Sequence, residues 1–369
     1  MPTPTVIEPA PLEGIVRPLD GARRVFWRAT VRVPVLGKAM RSADARVPLI
    51  ATLSVVFALA LTCVAPGVLF VLGPALFGVP HVASDVRYLV LRQRTTASWS
   101  LTVALGAGAL CLLRVVEMVA PRGFPFALVE VSLGWAWVAL GAWMGARAGA
   151  SGARWPRVAL VTLPIAAATA MAMAHPEPAR AILAYAHNLV PPLIWLALFR
   201  GRKRRAAVPL ALLGAGVVLL LSGVTVPLLR FDHPWVAVLI GESRWAAPAL
   251  APRSALALAS SYVFLQAVHY SIWLLWIPQE QTRKNATLTF RMSLRAARRD
   301  FGGWGLALIV GASLAMVVAS SVAPHRTRHL YLSVATFHAY LELACLAFLW
   351  LQRVDVPASP AVSADLRAA

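Results

Sequence analysis

Charged residues are scarce in this sequence: they make up 14% of its 369 residues, whereas 59% are hydrophobic. A soluble domain carries charge on about a quarter of its residues, so this composition excludes an ordinary soluble protein and indicates a polytopic membrane protein. Cysteine is also rare, and Cys63, Cys111 and Cys345 each stand alone in an apolar stretch. With no CxxC pair and no even set of cysteines, neither disulfides nor a thiolate metal site is expected.

Several catalytic motifs are also missing. The sequence has no DDxxD or NDxxD pair, no P-loop, no GxSxG segment and no histidine-rich boxes of the membrane desaturase type. These absences exclude the usual signatures of prenyl transfer, P-loop nucleotide hydrolysis, serine hydrolysis and desaturation.

The net charge of +20 is large, but its distribution argues against a nucleic-acid partner. Cytoplasmic loops of membrane proteins are enriched in Lys and Arg, and that bias alone can produce such an excess. A basic segment beside a bilayer attracts anionic headgroups, so residues 1–46 are predicted to form a cytoplasmic arm that lies on anionic membrane lipids. Its basic residues, interleaved with Phe26 and Trp27, are Arg23, Arg24, Arg28, Arg32, Lys38, Arg41 and Arg46.

Apolar runs of about 17–25 residues predict an all-α transmembrane bundle of about ten spans, several of them kinked at proline near the midplane. The long apolar region 47–91 is divided at Pro66-Gly67, which is a turn signal. The positive-inside rule then places both termini in the cytoplasm and the protein in the inner membrane, with a transmembrane domain at 47–352 and a disordered tail at 353–369. The predicted spans are 47–64, 68–91, 98–120, 124–146, 157–174, 179–199, 207–229, 254–277, 303–323 and 329–352.

The longest predicted outer loop, 230–253, carries Trp235 and Trp245 among turn-forming residues. Tryptophan prefers the membrane interface, so this loop is interpreted either as an interfacial anchor or as a lid over a substrate site. The sequence makes no prediction of oligomeric state.

Four histidines lie deep inside predicted spans: His81, His187, His269 and His338. Ionisable groups at this depth cost a few kcal/mol each, so their presence points to a function. At about 1.5 Å per residue they lie roughly 20, 12, 23 and 14 Å below the outer boundary of a core about 30 Å thick. We therefore expect them to share one metal or haem site, although a lone histidine in a span usually serves helix packing.

Polar neighbours add to this expected site. His81 and His338 each have an acid four residues later, Asp85 and Glu342, which lie on the same helical face and are expected to orient the imidazole or to act in catalysis. Gly78 and Pro80 are expected to break the helix just before His81, and Pro191-Pro192 to kink the helix after His187. The predicted substrate-contacting or supporting residues are Tyr185, Asn188, Tyr262, Gln266 and Trp273. Arg87 with Asp85, and Arg114 with Glu117 or Glu130, are interpreted as ion pairs that support packing.

Imidazole ligands suit iron, zinc and copper, and carboxylates shift the preference towards iron or manganese. We therefore expect non-haem iron with an open position for oxygen. Haem b held by two histidines is the main alternative, and zinc hydrolysis comes third because the surroundings are apolar.

The stretch Gly78-Val79-Pro80-His81-Val82-Ala83-Ser84-Asp85 resembles the Gly-x-Pro-His-Gly-x-x-Asp signature of the Brp/Blh carotene dioxygenase family. That resemblance implies an all-helical membrane enzyme that cleaves β-carotene with histidine-bound iron, and it carries over only to His81 and Asp85. Residue 82 is Val where the family has Gly, and Trp273 stands where the family has a second histidine one turn after the first.

The sequence thus predicts an oxygen-dependent oxidation or oxidative cleavage of a lipophilic substrate such as a carotenoid or another isoprenoid. An apolar substrate can reach a site at this depth from the lipid, whereas a charged one would have to lose its hydration. The alternatives are a transport protein in which the same histidines and acids relay protons, and an assembly subunit without catalysis of its own.

Overall fold

The computed structural model describes residues 11–93, 95–120, 123–148, 155–198, 203–228, 250–280 and 289–352. Within these ranges the regular elements are all helices, which confirms the predicted all-α class. The predicted tail at 353–369 and nearly all of the 230–253 loop lie outside the described residues.

Fourteen α-helices follow one another along the described chain, with short π- and 3₁₀-helical turns between some of them. The α-helices are α1 (Pro11–Arg32), α2 (Pro34–Arg41), α3 (Ala43–Val64), α4 (Pro66–Asp85), α5 (Ala97–Val119), α6 (Phe126–Ala148), α7 (Trp155–Ala174), α8 (Pro176–Ala186), α9 (Val190–Leu198), α10 (Lys203–Leu221), α11 (Pro252–Ser271), α12 (Ile277–Glu280), α13 (Phe290–Val322) and α14 (Pro324–Gln352). The π turns are Val86–Leu91 and Ile272–Trp276, and the 3₁₀ turns are His187–Leu189 and Val226–Leu228.

Nine helical segments of the described chain are long and apolar enough to cross a membrane. The division of the 47–91 region is confirmed, because α3 ends at Val64 and α4 begins at Pro66. Pro at the first helical position is favourable there because its missing N–H would have no helical partner. The segments are Ala43–Val64, Pro66–Leu91, Ala97–Val119, Phe126–Ala148, Pro156–Ala174, Pro176–Leu198, Pro252–Glu280, Phe290–Val322 and Pro324–Gln352.

The span predicted at 207–229 is shorter than expected. Its helix ends at Leu221, so its apolar part is Ala206–Leu221, and a turn follows. Gly223, with φ of 72°, adopts the left-handed conformation that commonly terminates helices. The predicted end at 229 was therefore wrong, since hydrophobicity continues past the residues that stop the helix.

A second positive-φ glycine divides α13. Gly302 has φ of 72° and ψ of 176°, which interrupts the helix between a basic amphipathic part, 290–301, and the apolar part that follows. The apolar part agrees with the span predicted at 303–323. The amphipathic part carries Arg291, Arg295, Arg298 and Arg299.

The described residues form two compact units, each discontinuous in sequence. The first comes from Met1–Arg92 and Arg202–Arg328, and the second from Gln93–Gly201 and His329–Ala369. Two spans are strongly enclosed: 78% of the apolar segment of Pro252–Glu280, in the first unit, is buried, and 61% of that of Pro324–Gln352, most of which belongs to the second. These two spans carry His269 and His338, so both histidines are surrounded mainly by protein.

In the first unit α11 packs against α3, α4 and α10. One apolar cluster joins Phe70 and Val71 of α4 to Leu256 and Val263 of α11. Arg46, 1% exposed, donates from Nε to the Gln279 side chain at 3.1 Å, which ties the start of α3 to α12. These contacts fix α4 beside α11, the two helices that carry His81 and His269.

In the second unit α6 packs closely against α14. A Cβ on Gly134 would overlap the ring of Tyr340, and a Cβ on Gly141 would lie 2.7 Å from the carbonyl oxygen of Ala344. The absence of side chains at these positions therefore permits the close approach. Trp99 of α5 stacks on Phe348 with ring centroids 4.3 Å apart, so α14 is packed on a second side as well.

Proline affects two spans in different ways. The predicted break at Gly78 and Pro80 is wrong: α4 continues through both residues to Asp85, and the irregular turn follows at Val86–Leu91. At the kink predicted after His187 the structure has a 3₁₀ turn, in which the N–H of Val190 donates to the carbonyl of His187. Pro191 lacks the N–H that would have bound that carbonyl in an α-helix, and the tighter turn replaces the missing bond.

Candidate metal centre

His81 and His269 form a buried pair in the first unit. Each is 1% exposed, and their ring centroids lie 5.1 Å apart with the ring planes at 84°. One ring nitrogen of each lies within 4.8 Å of the other. Two imidazoles on one tetrahedral metal have nitrogens about 3.4 Å apart, as metal–nitrogen bonds of about 2.0–2.1 Å require. A side-chain adjustment of roughly an ångström would thus bring both nitrogens onto one ion.

Both helices depart from α geometry next to this pair. The π turn Val86–Leu91 begins directly after Asp85, and the π turn Ile272–Trp276 begins three residues after His269. The Ser84 hydroxyl donates to the carbonyl of Trp273 at 3.1 Å and joins the two irregular regions. Such single π turns cost helical hydrogen bonding and occur frequently at functional sites.

His187 and His338 form a second pair, in the second unit. Their ring centroids lie 5.0 Å apart, again with the planes at 84°, and the residues are 8% and 6% exposed. His187 stands in the 3₁₀ turn between α8 and α9, and His338 in the regular part of α14. Within the second unit, His187 thus packs against His338, as His81 packs against His269 within the first.

Three of the four rings have a fixed tautomer. Nδ1 of His81 lies 2.9 Å from the carbonyl oxygen of Phe77, and Nδ1 of His187 lies 3.1 Å from that of Leu183. Nδ1 of His338 likewise contacts the carbonyl oxygen of Ala335. A carbonyl can only accept, so each Nδ1 carries a proton, and in the neutral ring Nε2 then carries the lone pair. Metal-binding histidines typically have this arrangement, with the second nitrogen donating to a carbonyl or a carboxylate.

The sequence predicted that Asp85 orients the His81 ring. The structure corrects that prediction, because Nδ1 of His81 donates to the carbonyl of Phe77 instead. Side chains on a helix lean towards its N-terminus, so the His81 ring reaches the carbonyl one turn back. Asp85 is 0% exposed, and neither of its carboxylate oxygens has a hydrogen-bond partner among the described residues. A buried carboxylate is costly unless a proton or a cation neutralises it, so a metal ion nearby would fit this side chain.

The predicted pair between Arg87 and Asp85 was also wrong. Arg87 instead forms an ion pair with Asp300 at 2.6 Å, and Arg92 binds the same carboxylate at 2.8 Å. Residues two apart in a helix point to different sides, so Arg87 does not face Asp85 and reaches Asp300 of α13 instead. Glu342, one turn after His338, is 0% exposed as expected for a residue inside the unit.

The predicted supporting residues have varied positions. Trp273 is 0% exposed and lies in the π turn beside the first pair. Tyr262 accepts a hydrogen bond from Gln266 at 3.2 Å, one turn apart on α11. The Asn188 amide donates to the carbonyls of Ala184 and Tyr185 in its own helix, which is a local packing role.

Tyr270 is a site residue that the sequence reasoning missed. Its ring centroid lies 4.5 Å from that of His81 and 5.9 Å from that of His269. Tyr270 directly follows His269, and adjacent residues on a helix point in different directions, so helical spacing did not indicate it. The available signal was an aromatic residue next to a histidine within an apolar span.

An ionic network lies elsewhere in the second unit. Arg114 binds Glu117 at 2.5 Å and Glu130 at 3.0 Å, so both pairs predicted as alternatives are present. Arg180, which was not predicted, binds the same two acids at 3.0 and 2.8 Å. The network joins α5, α6 and α8, and this supports the packing role expected for it.

The possible metal ligands at this site are imidazole nitrogens and carboxylate oxygens. Their side chains are buried among apolar helices. Neutral imidazoles with a fixed tautomer are suited to a divalent transition metal. The resemblance to the carotene dioxygenase signature stays a prediction, confined to His81 and Asp85. No family model, no curated protein and no solved structure matches this chain.

Proposed function

We propose that this protein is an integral membrane metalloenzyme that binds non-haem iron through buried histidines and oxidises or oxidatively cleaves a lipophilic substrate. The observation that carries the proposal is the His81–His269 pair. It is buried, its ring nitrogens approach within 4.8 Å, and it lies where two helices both form π turns. Helix packing alone requires neither two buried imidazoles with their nitrogens this close nor a π turn in both helices.

Iron is favoured over the other metals by the donor set. Imidazole suits iron, zinc and copper, and the buried carboxyls Asp85 and Glu342, each four residues after a histidine, would add hard oxygen donors. Bound iron with an open position would supply the activation of molecular oxygen. The expectation that four histidines share one centre remains part of the proposal, and elemental analysis tests it. One iron per chain indicates a shared centre, and two indicate a separate site at each pair.

Haem b fits the pairs less well. Two axial imidazoles on one haem iron need nitrogens about 4 Å apart on opposite sides of the porphyrin, at bonds of about 2.0 Å. The ring centroids would then lie roughly 6 Å apart, because each nitrogen is about 1 Å from its own centroid. The observed separations of 5.1 and 5.0 Å are shorter by about an ångström, so haem would require the rings to move apart, whereas a single metal ion would draw the nitrogens together.

The protein's own residues would exclude water and hold the ligands. Trp273, in the π turn beside the first pair, is 0% exposed, and Tyr270 packs on the His81 ring, so these aromatic rings would keep the first pair dry. Dry surroundings limit competing reactions with water. They also favour a substrate that arrives from lipid, such as a carotenoid or another isoprenoid, because no charge has to lose its hydration.

A proton-relay or transport function is the second candidate, and Asp85 is the observation that favours it. A carboxyl with no hydrogen-bond partner among the described residues, inside a span, is typical of proton-handling sites as well. The two functions differ in turnover. The enzyme alters a lipophilic compound, whereas the relay produces a pH-dependent flux in sealed vesicles.

The test of the enzyme proposal is expression in cells that make β-carotene. We expect the cells to lose colour with the wild-type protein, and to keep it with His81→Ala or His269→Ala. His175→Ala is the matched control, because His175 is exposed and belongs to neither pair. An intense Soret band in the purified protein would select haem. Unaltered carotenoids and quinones, combined with a histidine-dependent proton flux, would select the relay.

We further propose that the nine long spans of the described chain, with the shorter apolar helix Ala206–Leu221 as a tenth crossing, span the inner membrane with both termini in the cytoplasm, as the distribution of Lys and Arg favours. A reporter fused after residue 205 or 290 should give a cytoplasmic signal, and one fused after residue 240 an external signal. The reverse pattern would show the opposite orientation, and it would contradict the histidine depths, which are counted from the outer boundary of the membrane.

A further inference from the structure

A groove of about 480 Å³ lies where α1, α2 and α3 meet, in the first unit. Its lining includes Lys38, Arg41 and Ser42, with one acid, Asp44. Lys38 and Arg41 are both exposed and carry two positive charges against one negative charge. None of the lining residues belongs to the histidine pairs, so the groove is a separate feature.

The groove lies beside the start of a membrane span. α3 begins at Ala43 and is itself the first candidate span, so Lys38 and Arg41 precede it by only a few residues. Basic groups at this position lie at headgroup level, where lipid phosphates are concentrated. The ligand chemistry available there is an anionic phosphate with an apolar tail.

α1 extends the same surface. Arg24, Arg28 and Arg32 are exposed and follow one another at four-residue spacing on one helical face. Leu19 and Phe26, seven residues apart on another face, are 48% and 69% exposed. A helix with one basic and one apolar face is typical of segments that lie in the plane of an anionic membrane surface.

α1 is held to the start of α13. The carboxylate of Asp20 accepts from the backbone N–H of Phe290 at 2.7 Å and from Nε of Arg291 at 3.2 Å. The basic part of α13, 290–301, therefore lies against α1 and ends at Gly302, where the apolar span begins. Two basic helices and the groove thus occur next to the beginnings of two spans of one unit.

We propose that this groove binds the phosphate headgroup of an anionic phospholipid. Lys38 and Arg41 contact the phosphate, and α1 lies on the surrounding leaflet with Leu19 and Phe26 at the acyl boundary. Arginine provides a planar pair of donors that matches phosphate oxygens, and lysine provides a point charge. A zwitterionic headgroup cancels its own phosphate charge, so the groove discriminates between lipid classes. The inference does not depend on the metal centre.

The test uses the full-length protein in detergent, titrated with short-chain phosphatidylglycerol, with phosphatidylcholine of the same chain length, or with inorganic phosphate. Binding is followed by the shift in melting temperature and by native mass spectrometry. We expect saturable binding of phosphatidylglycerol that K38Q/R41Q weakens by roughly thirtyfold, about fivefold for each basic side chain at an anionic surface.

Two further variants make the result specific. K38R/R41K keeps both charges and should retain binding. R157Q/R326Q removes two exposed basic side chains outside the groove and should bind as the wild type does. Both groove side chains are exposed, so their replacement should leave the fold intact. Equal binding of the two lipids, an equal effect of inorganic phosphate, or an equal loss in R157Q/R326Q would each overturn the proposal.

Discussion

Replacing Asp20 with asparagine should release α1 from α13. The Asp20 side chain is 5% exposed and accepts from the backbone N–H groups of Phe290 and Arg291, at 2.7 and 3.4 Å, and from Nε of Arg291 at 3.2 Å. A hydrogen bond to a charged group contributes about 1.5–3 kcal/mol, but the longest of these is weak. Arg291 is also 41% exposed, so solvent screens its contribution. We therefore expect α1 docking to lose about 2 kcal/mol in total.

Hydrogen–deuterium exchange in lipid nanodiscs measures this loss. At constant pH, about 2 kcal/mol corresponds to roughly thirtyfold faster exchange over residues 11–32, if exchange follows local opening. Glu177→Gln is the matched control, because Glu177 is 70% exposed and its pair with Arg180 is 3.7 Å long. Wild-type exchange rates in Asp20→Asn would refute the reasoning, because they would mean that the carboxylate does not hold the helix.

The same contact predicts a dependence on pH. Burial raises the pKa of Asp20, but the backbone N–H groups of Phe290 and Arg291 and the Arg291 guanidinium outweigh this and lower the pKa below 3.8. The undocked carboxyl, with the higher pKa, takes up a proton first as the pH falls. The stabilisation is therefore complete at neutral pH and declines once the pH falls below about 4, through the lowered pKa of the docked state. The wild type and Asp20→Asn should become alike in that range.

Two further substitutions test the packing around the sites. Gly134→Ala should lower the melting temperature, because its Cβ would overlap the Tyr340 ring and overpacking costs about 1–3 kcal/mol; Gly108→Ala, with open space at its Cβ, should not. Equal melting temperatures would contradict the close α6–α14 approach. Tyr270→Ala should weaken iron retention by freeing the His81 ring, whereas Tyr270→Phe should retain iron because it keeps the ring contact. Loss of iron in both variants would contradict a packing role.

The spans were predictable because a bilayer requires long apolar helices, and composition alone reveals them. Pro66 correctly marked the boundary between two spans, because proline at the start of a helix is favourable. The end of α10 was not predictable from hydropathy, since the left-handed backbone at Gly223 stops a helix within an apolar stretch.

The histidines of the candidate site were predictable, because an ionisable side chain deep inside a membrane span costs free energy and is therefore expected to have a function. That His81 packs against His269 and His187 against His338 was not predictable, because it depends on which helices enclose one another. The partner of Arg87 was missed for the same reason: Asp300 lies 213 residues away in sequence, whereas Asp85 was the nearest acid. The π turns also have no signature in hydrophobic periodicity, since π and α turns bury similar residues.

The most direct test of the central claim is the metal content of the purified protein, measured by elemental analysis of the wild type and of single histidine variants. We predict near-stoichiometric iron in the wild type and in the exposed-histidine variant His175→Ala, and loss of most of it in His81→Ala and His269→Ala. A wild-type protein with no transition metal, or variants that retain as much iron as the wild type, would contradict the account and leave the histidines a role in helix packing.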